Sequence, residues 1–297
     1  MTKPQKGIFQ ENSSKFYYLE YTLDLTHPLS TLKAALNTSL SDTTGVNIVI
    51  AFGKDAWNKL QPDWQPAELV DFESLEGVDA YSIPSTQSDL FFWIHSENHD
   101  DNLDCVLKIQ QALTGVAKLQ LDLPGFTYHD SRDLTGFIDG SANPKDEARQ
   151  LAALIPTGQL GEGGSYVLTQ KWLHDLASFN DLSQDQQEKI IGRTKPDSIE
   201  LEGDAMPADS HVSRTDVKVD GTAMKIYRRS APYGSATEQG LYFLSFACEI
   251  KRFSIQLERM FGTTNDGLHD RLIEFSTPLT SSYWFSPSQQ DLDALLR

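Results

Sequence analysis

Residues 90–122 read LFFWIHSENHDDNLDCVLKIQQALTGVAKLQLD, and their order of elements recurs along the whole chain. Leu90 to His95 is dense in aromatic and β-branched side chains and reads as a strand. Leu103, Val106, Leu107, Gln110 and Leu113 then repeat at the helical period, with Asn102 as N-cap and Gly115 as terminator, so the spacing predicts a helix over 102–114. Lys118 to Asp122 reads as the next strand. Upstream, strand Phe16 to Leu25, helix Ser30 to Leu40 and strand Val46 to Phe52 complete the order βαββαβ. Trp57 to Ser88, with three prolines and many acids, reads as a long irregular insertion.

The second half repeats this order: strand Ser165 to Trp172, helix Gln184 to Ile191, strand Met224 to Arg228, strand Leu241 to Glu249, helix Arg252 to Met260 and strand Leu279 to Phe285. Ser183 with Gln186 forms a capping box and Gly192 a C-terminal stop. The fold class is therefore α+β, two tandem ferredoxin-like modules with antiparallel sheets and peripheral helices, over 1–135 and 136–297. The joint lies in the Gly- and Pro-rich stretch Pro124 to Pro144, and Arg193 to Asp220 is a second irregular stretch. Those two loops are where chemistry is expected, because loops on a rigid scaffold carry it disproportionately.

Composition narrows the function. At 297 residues the chain is about twice a domain of roughly 150. A formal charge of −17 repels polyanions and argues against nucleic acid or anionic membrane as partner. The longest apolar runs, Leu90 to Ile94 and Leu241 to Ile250, fall far below the roughly 18 to 20 residues a spanning helix needs. The N-terminal MTKPQKGIFQENSS has no apolar signal core, which leads us to expect a cytoplasmic protein. The two cysteines, Cys105 and Cys248, make no C-x-x-C pair and read as buried structural thiols. Histidine is then the expected ligand for any transition metal.

Three segments carry chemistry-bearing residues. Gly136-Phe-Ile-Asp139-Gly140 is a G-x-x-D-G pattern followed by Asn143-Pro144; alone it describes a tight turn. His211 lies in a polar, turn-rich stretch after Pro207, and Arg228 and Arg229 end a strand before Pro232-Tyr233-Gly234. His211 follows Asp139 by 72 residues and precedes Arg228 by 17.

Together these segments resemble the dye-decolorising peroxidases, specifically their bacterial B-type branch, over nearly the whole chain. Ile191 to Lys195 and Asp270 to Thr280 also look like signatures of that family. The resemblance implies a haem b, one per chain, with iron ligated by His211. It also implies hydrogen peroxide as substrate and bulky organic reductants, dye-like or phenolic, as electron donors. On the open face Asp139 would move the proton of peroxide and Arg228 would stabilise negative charge on the departing oxygen. Arg228 is expected to keep Asp139 ionised against burial. Arg193 would clamp a haem propionate, and Glu274, with Asp270 as second choice, would orient His211. Where some members carry an Asn two residues after the arginine, this chain has Ser230. Tyr128, Tyr233, Trp172 and Tyr242 are candidate stations for electrons from bulky reductants; His27, His95, His99, His129, His174 and His269 match no motif and read as structural or surface residues. A homo-oligomer and an encapsulating shell protein are the partners the resemblance brings into view. The competing reading is a haem-binding, iron-releasing protein without peroxidase turnover; such a carrier needs no acid–base residue or charge stabiliser.

Overall fold

The computed structural model describes residues 2–297. Ten strands form one antiparallel sheet: β1 Lys15–Leu23, β2 Asn47–Phe52, β3 Leu90–Ser96, β4 Ala117–Phe126, β5 Ser165–His174, β6 Tyr227–Arg228, β7 Ala231–Gly234, β8 Gln239–Ala247, β9 Ser276–Pro278 and β10 Ser282–Ser286. Their spatial order is β6-β8-β5-β10-β2-β3-β1-β4, with β7 also on β8 and β9 also on β5. Within it, β2-β3-β1-β4 and β6-β8-β5-β10 share one ferredoxin-like arrangement, as the repeated element order predicts. The two halves meet at a single register pair, Phe285 with Phe52.

Strand alternation sorts the side chains into two layers. On β1, Tyr17, Leu19, Tyr21 and Leu23 join a core with Leu32 and Leu36 of helix Leu29–Leu40 and Ile109 of helix His99–Leu113. Tyr18 turns the other way, into a core with Phe91, Trp93, Tyr242, Phe246 and Trp284. β1 and β8 are separated by several strands in the sheet, yet the Tyr18 and Tyr242 rings stack 4.0 Å apart. The sheet therefore curls until its halves face each other. At the closing edge, a Cβ on Gly125 of β4 would lie 3.3 Å from the Pro232 carbonyl oxygen of β7.

Several boundaries differ from the sequence reading. The helix predicted from Asn102 begins at His99, and Asn102 is buried in it, donating its amide to the Lys15 carbonyl at 3.0 Å rather than capping. The predicted strand Leu279 to Phe285 is found as β10, Ser282–Ser286, with the separate β9 ending before it at Pro278, and Met224 to Arg228 shortens to β6 with β7 following. The 57–88 insertion contains the end of helix Lys54–Leu60 and a small hairpin, and a further helix spans Asp146–Ala153. The capping box of Ser183 and Gln186 forms, with Gly192 ending that helix in the left-handed region. Cys105 and Cys248 are free and buried, and burial pushes both thiols up, Cys105 to about 11.

Candidate active site

The second half of the sheet holds a largely apolar chamber on its helical face, the kind of concave site small molecules occupy. Leu168 and Trp172 of β5 and Leu241 and Phe243 of β8 make the floor; Phe253, Leu257 and Met260 of helix Lys251–Met260 make an apolar wall. Asp139, His211 and Arg228 line both this chamber and an adjoining polar vestibule that contains Arg193.

Asp139 is delivered by the G-x-x-D-G loop. Both motif glycines have positive φ, +90° at Gly136 and +76° at Gly140, which accounts for glycine at each. Arg132 staples the loop to the chain after helix Gln184–Ile191, donating to the carbonyls of Gly136, Lys195 and Pro196 at 2.8, 2.7 and 2.9 Å. Asp139 Oδ1 accepts the Gly140 amide at 2.6 Å. Burial raises the Asp139 carboxyl above its ordinary value; Arg228 opposes this, while the Asp133 carboxylate adds to it. The expected dominance of the Arg228 cation is thus corrected: loss of water around the carboxyl outweighs it.

Arg228 is held by its backbone. The Asn143 side chain accepts the Arg228 N–H at 3.0 Å and donates to its carbonyl at 2.8 Å, so the Asn-Pro after the motif fixes the arginine across the pocket. Its Nε is buried with no hydrogen-bond partner among the described residues. A buried guanidinium donor without an acceptor is costly, and a bound anionic or oxygen-bearing group would relieve that cost. Arg229 faces the other way, donating to the carbonyls of Ile8 and Gln10 at 2.9 and 2.8 Å and lying 4.9 Å over the Trp93 ring.

His211 opens the helix His211–Thr215, whose N-cap Ser210 accepts the Ser213 amide. Its Nδ1 donates to Asp270 Oδ2 at 2.6 Å, a carboxylate with no exposed surface. Asp270 Oδ1 meanwhile caps the helical turn Arg271–Glu274 through the Leu272 amide at 2.9 Å. With Nδ1 committed as donor, Nε2 is left as the lone-pair atom, which is the state a metal needs. The donor set fits haem iron: one neutral imidazole with a carboxylate behind it, apolar walls, and a cation and an acid elsewhere on the pocket lining. Glu274, the first choice for the carboxylate, instead pairs with His269 at 3.3 Å and Arg271 at 3.6 Å, so Asp270 replaces it. Arg193, expected to clamp a haem propionate, lines the vestibule, where it donates to the Ser198 carbonyl at 2.8 Å and pairs with Glu200. Ser230 Oγ accepts the Leu244 amide at 3.3 Å and is tied to the sheet.

Two family models match, "Dyp-type peroxidase, N-terminal" over residues 5–127 and "Dyp-type peroxidase, C-terminal" over residues 130–291. The chain belongs to the dye-decolorizing peroxidase family. The dye-decolorizing peroxidases of Rhodococcus erythropolis and Mycobacterium tuberculosis are 34% and 36% identical over 253 and 255 residues, covering 84% of this chain and 74% and 76% of theirs. A Dyp-type peroxidase protein from Shewanella oneidensis superposes with a TM-score of 0.92 at 34% identity, covering 100% of this chain and 98% of its own. A variant of Rhodococcus jostii RHA1 DypB, solved in complex with heme, gives 0.91 at 32% identity over 98% of both chains.

In this dye-decolorizing peroxidase, sequence reasoning passed over Asn143, although its Asn-Pro signal was visible, and over a polar cluster at the far end of the chamber. There Asp133 accepts His174 Nε2 at 3.1 Å and the Thr135 hydroxyl at 2.5 Å, while His174 Nδ1 accepts the Ser276 hydroxyl at 2.8 Å. Burial acts to raise the Asp133 carboxyl, but these bonds outweigh it and hold the group below its ordinary value. His174, expected to be structural or on the surface, lines the chamber.

Proposed function

We propose that this chain is a haem b peroxidase of the B-type branch in which His211 holds the iron and Asp139 and Arg228 act on hydrogen peroxide. The observation that carries the reading is the 2.6 Å bond between His211 and the fully buried Asp270, in the same chamber that Asp139 and Arg228, with its partnerless buried Nε, line. Bound haem supplies the redox chemistry that takes up the oxidising equivalents of peroxide and passes them to organic reductants. Asp270 keeps the His211 proton on Nδ1 and gives the ring imidazolate character. Asp139, in its carboxylate form, takes a proton from one peroxide oxygen and returns it to the other, so that this oxygen departs as water. Arg228 stabilises the negative charge that builds as the O–O bond lengthens, and it needs no deprotonation to do so. Arg193 would exchange Glu200 for a propionate, a bidentate pairing suited to guanidinium. A haem carrier would gain nothing from an Arg228 whose buried Nε has no hydrogen-bond partner among the described residues, and the peroxidase reading is preferred on that ground.

The reading extends to two modules meeting near residues 135 and 136, bulky dye-like or phenolic reductants as donors, and a homo-oligomer for which exposed Leu151 and Leu160 would supply apolar contact. Among the described residues, no helix is long and apolar enough to cross a membrane. Two free, buried thiols agree with a reducing, cytoplasmic setting. The test is His211→Ala expressed with ample haem: the variant should lose most bound haem. A parent-like Soret band and high-spin iron signature would assign the iron to another ligand.

A further inference from the structure

Behind the chamber floor, on the inner face of the curled sheet, lies a carboxyl that the peroxide chemistry leaves unused. Glu20 of β1 is 2% exposed. Its Oε1 accepts the Tyr242 hydroxyl at 2.6 Å and the Thr169 hydroxyl at 3.2 Å, and the Thr169 oxygen in turn accepts Trp284 Nε1 at 2.9 Å. Among the described residues, no Lys, Arg or His is bonded to Glu20. Burial raises its carboxyl to about 7, against the bonds from Tyr242 and Thr169 that lower it. An apolar pair would fill the same space without the cost of desolvating an acid, so packing alone does not account for a carboxylate here.

Tyr242 occupies a specific place relative to the chamber. Its neighbours Leu241 and Phe243 form the chamber floor, and strand alternation sends the Tyr242 ring to the opposite side of the same backbone. The ring has no exposed surface, so a bulky reductant cannot touch it. Burial and the adjacent Glu20 raise the phenol well above its ordinary value, so Tyr242 does not ionise in its resting state. Removing an electron reverses this, because an oxidised phenol is a strong acid, and its hydroxyl already donates to Glu20 Oε1.

We propose that Tyr242 and Glu20 form a proton-coupled one-electron donor behind the haem chamber, which takes up an oxidising equivalent when no organic reductant is at hand. The proposal rests on the haem peroxidase reading. One electron leaves the Tyr242 ring and reduces the peroxide-oxidised cofactor by one equivalent; the O–H bond breaks, and the proton passes from Tyr242 Oη to Glu20. A neutral tyrosyl radical and a protonated Glu20 remain, and total charge in the sealed interior changes only by the electron removed. An electron from an organic reductant later restores the phenol as the proton returns. Glu20 thus makes oxidation possible in a place where an uncompensated positive charge would be prohibitive.

The test is electron paramagnetic resonance on holoenzyme held above pH 7, where Glu20 is a carboxylate able to take the proton, frozen after one equivalent of hydrogen peroxide without organic reductant, with the Soret response followed in parallel. The parent should give a tyrosyl signal that narrows with ring-deuterated tyrosine. Tyr242→Phe should lose most of it at matched haem content. Glu20→Gln still accepts the hydroxyl bond but cannot take the proton, and it should lower the radical yield to a small fraction of the parent's with the same Soret response. Should the lone carboxylate destabilise Tyr242→Phe, the double variant Tyr242→Phe, Glu20→Gln removes both partners and carries the same expectation. A parent-sized tyrosyl signal in either phenylalanine variant, or a signal insensitive to tyrosine deuteration, overturns the proposal alone. A parent whose Soret band does not respond to peroxide overturns the peroxidase reading and this inference with it.

Discussion

Replacing Asp270 with Asn probes the bond that prepares His211. Asn has nearly the same shape and can still cap the Leu272 amide through its carbonyl oxygen, but in place of the charged acceptor facing Nδ1 it puts an NH2 group that cannot accept the ring proton. Hydrogen bonds to charged groups contribute about 1.5–3 kcal/mol and neutral ones about 0.5–1.5 kcal/mol. Because Asp270 is fully buried, solvent does not screen the difference, and a loss of about 1.5 kcal/mol is expected. That equals about a tenfold change in an equilibrium constant, within the range seen when carboxylates behind metal-bound histidines are removed. The assay is transfer of haem from the variant to an excess of apomyoglobin, followed by absorbance. Asp270→Asn should release haem about tenfold faster than the parent, while Glu274→Gln, altering a carboxylate paired with His269, should leave the rate unchanged. Equal release rates from Asp270→Asn and the parent, or faster release from Glu274→Gln alone, would refute the reasoning.

The split between Arg228 and Arg229 gives a second expectation: Arg228→Leu should slow the peroxide-induced Soret change severely, whereas Arg229→Leu should chiefly lower stability, since it frees the Ile8 and Gln10 carbonyls. Both are checked by stopped flow and urea unfolding at matched haem occupancy, and equal kinetic effects would contradict the assignment. Glu20 gives a third. Its carboxyl, raised from 4.5 to about 7, stays protonated in the folded chain at pH values where the unfolded chain has lost the proton, so its contribution to stability falls as pH rises from 4.5 to 7 and then levels off. Relative to Glu20→Gln, the parent should lose about 3 kcal/mol of unfolding free energy across that window; a pH-independent difference between the two would argue against a raised carboxyl.

The repeated strand and helix order was legible because each element carries a local pattern: aromatic density on β1, the stripe of helix His99–Leu113, the capping box at Ser183. The curl of the sheet was not, because it depends on the single pairing of Phe285 with Phe52 and on packing such as Tyr18 against Tyr242, which leave no local mark. At the site, Asp139, His211 and Arg228 were legible as residue types at family spacing. The choice between Asp270 and Glu274 was not, since it turns on one helical turn: capping the Leu272 amide aims the other Asp270 oxygen at His211 and sends Glu274 toward His269. The direction of the Asp139 shift was hidden for a similar reason. Arg228 can be named from sequence, but the burial that outweighs it, and the neighbouring Asp133, exist only in the folded chamber.

The role of Asp139 is the most exposed part of the account. Burial raises its carboxyl, so the base form is lost as pH falls through a value above the ordinary aspartate range, earlier than the Arg228 cation alone would allow. The direct measurement is the stopped-flow rate of the Soret change on mixing holoenzyme with hydrogen peroxide, across acidic to neutral pH, for the parent and Asp139→Asn. The parent rate should fall as Asp139 takes up its proton, and the Asn variant should be slow throughout and nearly flat with pH. An Asp139→Asn variant that reacts as fast as the parent, with the same acidic fall, would contradict the assignment and leave Asp139 as a turn residue of its loop.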